Sequence, residues 1–235
     1  MSKITTSIVA DNTVSLITID DGKANAFSKE AIADLRAAVD DAAATPGVVA
    51  AVIAGREGVF SAGFDLNVMR SGDLGAVIDL VADGGDLVSH IYRSDIPVVA
   101  ACTGHALAAG ALLLLGCDVR IGATGDFKVG VNEVAIGMVL PDWAMTICRE
   151  RLDPRYLQRA VANARITDAT NAVTAGFLDV AVAPEDVVPR AIEEAAAMAG
   201  LDRAAYAGTM RQFRGAIATK MTGQAAADRD QGQSS

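Results

Sequence analysis

The stretch "IPVVAACTGHALAAGALLLLGCDVRIGA", residues Ile96–Ala123, carries the strongest fold information in this sequence. Its first part, Ile96–Cys117, has no Asp, Glu, Lys or Arg and is long enough to cross a bilayer as one helix. Pro97, Gly104 and Gly110 would interrupt such a helix. A proline is, however, tolerated at the start of a strand, so Pro97 is compatible with a strand that begins there. We therefore expect a buried strand, a turn and a buried helix instead of a membrane span, and then a short strand.

Strands and helices alternate on both sides of this stretch, up to about residue 140. Thr13–Asp20 and Val48–Gly55 are typical of strands, and the second is apolar throughout, like a parallel strand buried on both faces. Between them, Ser28 can cap a helix whose apolar stripe begins at Ile32. The segment "REGVFSAGFDL", residues 56–66, is predicted to be a loop.

Helices dominate the rest of the chain. The patterns predict helices that begin near Pro141, Pro154, Asp168 and Glu185, with one last strand at "FLDVAV", residues 177–182. A final helix is predicted over Asp202–Met221, and the polar tail after it is predicted to fray. The fold class is therefore α/β, with a core over residues 1–200 and a short helical region with a frayed tail over residues 201–235.

Composition limits the classes of partner. The 235 residues are 51% hydrophobic, so a large core is available, and the formal net charge is −9. That charge argues against nucleic acid and anionic membrane surfaces as main partners. The three cysteines form no spaced framework, and the N-terminus lacks the apolar core of a signal peptide. We expect a cytoplasmic protein with reduced cysteines.

One carboxylate interrupts an apolar run in "KVGVNEVAIGMVLP", residues Lys128–Pro141. Burial of Glu133 in apolar surroundings would disfavour the charged carboxylate and raise its pKa, which suits proton transfer near neutral pH. A glutamate at a strand edge, facing solvent or paired with an arginine, fits the same run. Glu133 is therefore a candidate acid or base, and the residues alone leave both interpretations open.

Two glycine- and alanine-rich stretches could present backbone N–H groups to a ligand. In "GHALAAG", residues Gly104–Gly110, small residues lead into an apolar helix, whose first N–H groups lack a partner inside the helix and favour an anion. "VFSAGFDL", residues Val59–Leu66, would let a ligand approach its backbone closely. Close packing of a helix on a strand, and an ordinary tight turn, are the structural alternatives.

Other candidates are weaker. His90 and His105 have no metal-ligand spacing, so no metal site is expected. Ser61 is not in a G-x-S-x-G nucleophile elbow, because position 59 is a valine. Asp118 and Arg120 alternate on one predicted strand and are interpreted as a structural pair.

Five segments resemble, in order, those of the crotonase superfamily, the enoyl-CoA hydratase/isomerase family. They are "GKANAFS" (22–28), "VFSAGFDL" (59–66), the opening stretch (96–123), "GVNEVAIGM" (130–138) and "ARITDATNAVTAGFLDVAV" (164–182). The resemblance implies a spiral of ββα units with a C-terminal helical trimerisation region. It also implies an acyl-CoA thioester as partner, and a homotrimer or a hexamer of two trimers.

The same resemblance implies the site residues. Two backbone N–H groups that polarise the thioester carbonyl would be those of Phe64 and Ala109. Alanine stands at Ala109 where the family has glycine, but its N–H is kept. Acyl-CoA contact positions would be Ala24, Ala62, Asp65 and Leu66. No cofactor is implied, because coenzyme A is part of the substrate.

Departures from the family pattern favour one reaction. Hydratases of the family hold a water with two glutamates, of which the second matches Glu133 and the first falls at Leu112. A leucine can neither orient water nor move a proton. Together with "LPDWAM", residues 140–145, this pattern resembles Δ3,Δ2-enoyl-CoA isomerases, in which one glutamate suffices.

Three other functions remain open on the sequence. A hydratase would need Asp142 or another acid in place of the missing glutamate. A non-catalytic acyl-CoA binder would keep the donors and lack turnover. Hydrolysis or decarboxylation of an acyl-CoA has no dedicated residue in the sequence.

Overall fold

The computed structural model describes residues 4–233, which build two β-sheets and nine α-helices. The larger sheet has six strands, in the order β1-β2-β3-β5-β7-β9. Their bounds are β1 Ile4–Val9, β2 Val14–Ile19, β3 Ala50–Gly55, β5 Val98–Cys102, β7 Val119–Ala123 and β9 Val180–Val182. Only the β1–β2 pair is antiparallel. The smaller sheet is parallel and consists of β4 Gly58–Ser61, β6 Gly104–Leu107 and β8 Val129–Gly130.

The helices follow the strands in the order that the sequence predicted. Their bounds are α1 Lys29–Ala44, α2 Leu66–Met69, α3 Leu74–Tyr92, α4 Ala109–Gly116, α5 Asp142–Arg151, α6 Pro154–Ala160, α7 Ala169–Ala175, α8 Val187–Ala197 and α9 Arg203–Gln233. Three times the chain makes one strand in the larger sheet, one in the smaller sheet and then helix: β3-β4 before α2 and α3, β5-β6 before α4, and β7-β8 before α5. The predicted α/β class and the ββα order are confirmed.

Local chemistry explains several of these elements. Ser28 caps α1 by accepting a hydrogen bond from the Ala31 N–H, and the stripe that begins at Ile32 is buried. Every residue of β3 and β5 is buried, as expected for apolar strands covered on both faces. Helix α8 packs on one face of the larger sheet, through Val187, Ala191 and Ala195. The other face of that sheet meets α1, α3, α4 and α5 in the main core.

The charge-free stretch Ile96–Cys117 divides into β5, β6 and α4. No helix among the described residues is long and apolar enough to cross a membrane. The expected turn between strand and helix is wrong in one respect, because β6 occupies part of it. The loop predicted for residues 56–66 likewise contains β4 and the start of α2. Both missed strands are only four residues long and rich in small residues, so they lack a period-two pattern.

The predicted pairing of Asp118 with Arg120 is wrong. Asp118 lies just before β7 and accepts a hydrogen bond from Arg214 of α9 at 2.8 Å. Arg120 instead pairs with Asp179, with its Nη2 2.6 Å from the carboxylate. Asp118 therefore pairs with α9, and Arg120 pairs with the residue just before β9. These partners are distant in sequence and reach this edge of the sheet only because α9 and β9 pack there.

The predicted fraying of the tail is also wrong for residues 222–233, which continue α9. Arg229 donates hydrogen bonds to Asp83 and Asp86 of α3, at 2.7 and 2.8 Å. Ala225 is buried against the core. Contacts with residues distant in sequence therefore stabilise the helical structure of residues 222–233, although the composition of this segment is polar. Residues 234–235 of the predicted tail lie outside the described residues, and the division of the chain at residue 200 stays a prediction.

Candidate active site

The three strands of the smaller sheet point at one cavity. Because they run parallel, their carboxyl ends meet at one edge of the sheet. The segments after β4, β6 and β8 contain Phe64, Ala109 and Glu133, respectively. A cavity of about 370 Å³ opens at this edge. Its lining is Ala62, Phe64, Leu66, Met69, Arg70, Val81, Leu107, Ala108, Leu112, Asn132, Glu133, Ile136, Met138, Pro141 and Trp143.

Glu133 is the only carboxylate among the described lining residues. It is 6% exposed and directly precedes a 3-10 turn over Val134–Ile136. Its carbonyl oxygen accepts hydrogen bonds from the N–H groups of Ile136 and Met138, at 3.1 and 2.9 Å, which hold the turn. In the described part of the chain, Oε2 of its side chain has no hydrogen-bond partner. The carboxyl group is thus buried at the cavity with one oxygen unpaired.

Burial raises the pKa of Glu133 to about 7, because the charged carboxylate loses its hydration. Hydrogen bonds from the backbone N–H groups of Glu133 and Asn132 lower the pKa and offset part of this shift. Near neutral pH the group is therefore present in both protonation states. That is the condition under which one carboxyl can both take and return a proton.

The N–H of Phe64 is free because of how its neighbours pair. Phe27 and Phe64 form a parallel bridge, in which the Phe27 N–H donates to the Gly63 carbonyl at 2.8 Å and the Asp65 N–H donates to the Phe27 carbonyl at 3.0 Å. Since these bonds flank Phe64, its own N–H points away from the bridge. Within residues 4–233 this N–H has no hydrogen-bond acceptor.

The N–H of Ala109 is the first of helix α4. The N–H of Ala108 donates a hydrogen bond to the Gly130 carbonyl at 3.1 Å. The Ala108 carbonyl accepts one from the Leu112 N–H, also at 3.1 Å. Ala108 has a φ of 50°, a conformation that costs energy for a residue with a side chain and that turns the chain sharply into the helix. The Ala109 N–H has no partner inside the helix, and the helix dipole favours negative charge beside it.

Gly63 brings the two donor segments together. Its φ is +97°, and a methyl group added there would lie 3.3 Å from the Ala109 nitrogen and 2.9 Å from the Ala108 Cβ. Only glycine allows both this conformation and this approach. The residue before Phe64 therefore touches the start of α4, which brings the Ala109 N–H close to the segment of Phe64, a residue that lines the cavity with Glu133.

The family model described as enoyl-CoA hydratase/isomerase matches residues 9–234.

The chain belongs to the enoyl-CoA hydratase/isomerase family.

Individual members of the family agree with this assignment. A probable enoyl-CoA hydratase of Mycobacterium avium is 33% identical over 167 residues, covering 69% of this chain and 63% of that protein. The chain thus spans less than two thirds of the length of the curated relatives it matches first. A solved structure of an enoyl-CoA hydratase/isomerase family protein from Pseudomonas syringae is 34% identical, with a TM-score of 0.92 and 97% of each chain covered.

The names within the family divide between two reactions. An enoyl-CoA isomerase of Mycobacterium tuberculosis is 36% identical, with a TM-score of 0.88 and coverage of 99% of this chain and 98% of that one. Another structure of the same M. tuberculosis protein describes it as a probable hydratase. The crotonase superfamily and its fold are therefore established for this chain, whereas the reaction is not.

The position that the family resemblance associates with the choice between the two reactions lies in the cavity. Leu112, at the position where the resemblance places the first hydratase glutamate, lies one turn into α4 and lines the cavity. Asp142, the acid considered as a substitute, is exposed at the start of α5 and is not among the lining residues. The described cavity wall thus offers one acid and no second one.

The four predicted acyl-CoA contact positions fall into two groups. Ala62 and Leu66 line the cavity, and the exposed fraction of Leu66 is 54%. Ala24 and Asp65 are not lining residues, but the Ala62 N–H donates to the Ala24 carbonyl at 2.9 Å. The Asp65 side chain caps α2 by accepting a hydrogen bond from the Asn67 N–H. Their contacts with substrate stay predictions.

Three residues with buried polar groups in or near the cavity were not predicted from the sequence. Asn25 is buried and donates to the carbonyls of Ile19 and Phe60, at 2.8 and 3.2 Å, which ties the loop after β2 to β4. Asn132 and Trp143 line the cavity, and their buried Oδ1 and Nε1 atoms have no partner among the described residues. Asn132 lies in "GVNEVAIGM" and Trp143 in "LPDWAM". Their positions in these two motifs were the only sequence features that could have indicated them.

The remaining polar candidates lie elsewhere. The three cysteines are free and buried, as small apolar residues would be. His105 accepts a hydrogen bond from the Lys128 N–H, and His90 pairs with Asp40 at 2.7 Å. Among the described residues, no group of three or more His, Cys, Asp or Glu side chains is placed to hold a metal ion.

Proposed function

We propose that this protein is an enoyl-CoA isomerase that converts a 3-enoyl-CoA into trans-2-enoyl-CoA. The observation that carries the proposal is the single carboxylate of the cavity. Glu133 shares the cavity with Leu112, and the nearest sequence alternative, Asp142, lies outside it. One carboxyl suffices to move a proton along an acyl chain, whereas the hydration chemistry of the family uses two to hold water.

In the proposed reaction, Glu133 takes a proton from C2, the electrons of that C–H bond form a C1=C2 double bond, and the π electrons of the thioester carbonyl move onto its oxygen. The intermediate enolate places negative charge on the thioester oxygen, which accepts hydrogen bonds from the N–H groups of Phe64 and Ala109. The same carboxyl then returns the proton at C4: the C3=C4 π electrons form the new C4–H bond, the C1=C2 electrons become the C2=C3 double bond, and the carbonyl re-forms. Removing one such donor costs about 100- to 1,000-fold in rate, and a general base contributes about 100- to 10,000-fold.

Substrate would enter along the segment that pairs Ala24 with Ala62, with its acyl chain in the cavity beyond. Coenzyme A is part of the substrate, and the proton transfer requires neither a metal nor a redox cofactor. Assembly into a trimer, or a hexamer of two trimers, and a cytoplasmic location are further proposals that rest on the family resemblance and the composition.

Hydration of a 2-enoyl-CoA is the second candidate. The observation in its favour is the set of unpaired buried atoms at the cavity: Oδ1 of Asn132, Oε2 of Glu133 and Nε1 of Trp143. Buried polar atoms without protein partners are where ordered water binds. Several relatives also carry the name hydratase.

Two assays on the same preparation separate the candidates. An isomerase produces conjugated absorbance from a 3-enoyl-CoA and leaves the absorbance of a 2-enoyl-CoA unchanged. Rapid loss of conjugated absorbance from a 2-enoyl-CoA would instead establish hydration. Binding of acyl-CoA without turnover of either substrate would show a non-catalytic binder, and release of free coenzyme A would show hydrolysis.

A further inference from the structure

Helix α3 contains two consecutive glycines in its interior, Gly84 and Gly85, and both are buried. Glycine is less favourable than alanine inside a helix, because it loses more backbone freedom on folding. Neither residue has a positive φ, so the backbone conformation does not require glycine here. The reason must lie in the space around the two Cα atoms.

Two aromatic rings of the cavity occupy that space. A methyl group added at Gly84 would lie 2.5 Å from Cζ and 2.6 Å from Cε1 of Phe64. One added at Gly85 would lie 2.8 Å from Cδ2 and 2.9 Å from Cδ1 of Trp143. Ordinary carbon contacts are about 3.5–4.0 Å, so each ring rests directly on the helix backbone.

The two glycines belong to the side of α3 that faces the cavity. Val81 lies three residues before Gly84 and four before Gly85, and residues at this spacing share one face of a helix. Val81 lines the cavity directly, whereas at Gly84 and Gly85 the rings of Phe64 and Trp143 form the lining. The wall on this side therefore consists of one valine and two rings, and the glycines determine how far back the rings lie.

We propose that Gly84 and Gly85 are specificity-determining residues, which hold the rings of Phe64 and Trp143 against α3 and so give the cavity the depth to take longer straight-chain acyl groups. A side chain at either position would push its ring into the cavity by roughly 1 Å. Short acyl chains would still fit, and longer ones would not. This inference rests on the proposed acyl-CoA function and names its substrate class.

The test compares Gly84→Ala and Gly85→Ala with Gly75→Ala, a matched control in the same helix. Gly75 is exposed, and a methyl group there would meet only Asp73 Oδ1, at an ordinary 3.4 Å. Hexanoyl-CoA and dodecanoyl-CoA are the probes, because saturated thioesters bind without reacting, and affinities are measured by titration calorimetry. The two buried variants should lose about tenfold more affinity for dodecanoyl-CoA than for hexanoyl-CoA.

The control should bind both thioesters like the wild type. Trp143 is the single tryptophan of the chain, so its emission should shift in Gly85→Ala and not in Gly75→Ala. Equal affinity changes for the two thioesters, or none, would overturn the proposal. A chain-length effect in a protein that converts neither 3-enoyl- nor 2-enoyl-CoA would uphold this inference while the proposed reaction failed.

Two further variants keep the test decisive if a buried alanine prevents folding. Gly84→Ala combined with Phe64→Leu should recover binding of dodecanoyl-CoA, because leucine lacks the ring atoms that the new methyl group would meet. Val81→Ala removes atoms from the same wall and should shift preference toward dodecanoyl-CoA. An unchanged preference in both variants would contradict the proposal.

Discussion

The carboxyl group of Glu133 combines burial with an unpaired oxygen beside a cavity. Burial raises its pKa from an ordinary value of 4.5 to about 7. The resulting proton affinity suits a group that must take a proton and return it, because both forms are then close in free energy. The same burial makes the charged form costly to the folded protein.

Replacement of Glu133 by glutamine should slow isomerisation strongly while leaving substrate binding intact. Glutamine keeps the size of the side chain and cannot take a proton, so kcat should fall about 100- to 10,000-fold. The measurement is turnover of a 3-enoyl-CoA, with dodecanoyl-CoA affinity as the control for an intact site. A variant that retained wild-type kcat would exclude Glu133 as the base.

Activity should depend on pH through the same carboxyl. The base must be ionised to take a proton, so kcat/KM for a 3-enoyl-CoA should rise with pH and level off above about 7, the pKa of Glu133. The free enzyme's pKa is read from the pH profile of kcat/KM. A profile that is flat between pH 5 and 8 would contradict the assigned role.

The free energy of unfolding should change with pH in the opposite direction to the activity. Because the folded pKa of about 7 exceeds the ordinary 4.5, the native state binds more protons than the unfolded state between these pH values. The free energy of unfolding should therefore fall by about 3 kcal/mol from this group as pH rises through that range. Denaturant unfolding of wild type and Glu133→Gln measures it, since the variant should lack this part of the pH dependence.

Three short strands bring together the groups to which the proposed chemistry is assigned. The segments after β4, β6 and β8 supply one N–H, another N–H and a carboxylate, and parallel pairing aligns the ends of the three strands. The strands are two to four residues long. Their geometry therefore depends on the larger sheet and the helices that hold them in place.

Helix α9 is fastened to the sheet by a buried ion pair. Arg214 is 5% exposed, donates to Asp118 at 2.8 Å and to the Tyr92 carbonyl at 3.2 Å, and stacks on the Tyr92 ring at 4.5 Å. These contacts join α9 to the end of α3 and the start of β7.

Arg214→Met should destabilise the protein by about 3–5 kcal/mol, because it leaves the largely buried Asp118 carboxylate without its charged partner. Adding Asp118→Asn should recover part of that loss. Arg211→Ala is the matched control in the same helix: its pair with Asp95 is exposed, so removing it should cost no more than about 1 kcal/mol. Chemical denaturation measures all four proteins, and equal effects of the two arginines would contradict the argument.

At the scale of the whole molecule, α9 completes the core. Its buried residues Ala207, Met210, Ala218, Met221 and Ala225 cover apolar surface, and its contacts run along α3 and α5. Since α3 forms a wall of the cavity, the C-terminal helix supports the site without lining it.

Removal of residues from Asp202 onward should give aggregated or monomeric protein. The truncation uncovers the apolar surface beneath α9, and the family resemblance assigns trimer formation to this region. Light scattering of the full chain and the truncated chain provides the comparison. An intact and active trimer after truncation would contradict both the packing argument and the proposed assembly.

Local patterns in the sequence determined much of this protein. The charge-free stretch specified β5 and α4, the apolar run of Val48–Gly55 specified a buried strand, and the quoted motifs identified the family. The apolar run around Glu133 and the two glycine- and alanine-rich segments at the cavity also stood out locally, whereas Leu112 was singled out only by the family resemblance. These features were visible because composition, periodicity and motif spacing act over a few neighbouring residues.

Only the tertiary structure decided the rest. It gave Asp118 and Arg120 different partners, extended α9 through a polar tail, formed the short strands β4 and β6, and placed two rings on Gly84 and Gly85. Each outcome depends on residues far away in the chain. The partner of a side chain, and the structure of a short segment, depend on which distant surfaces pack against them. A local sequence pattern contains no information about those surfaces.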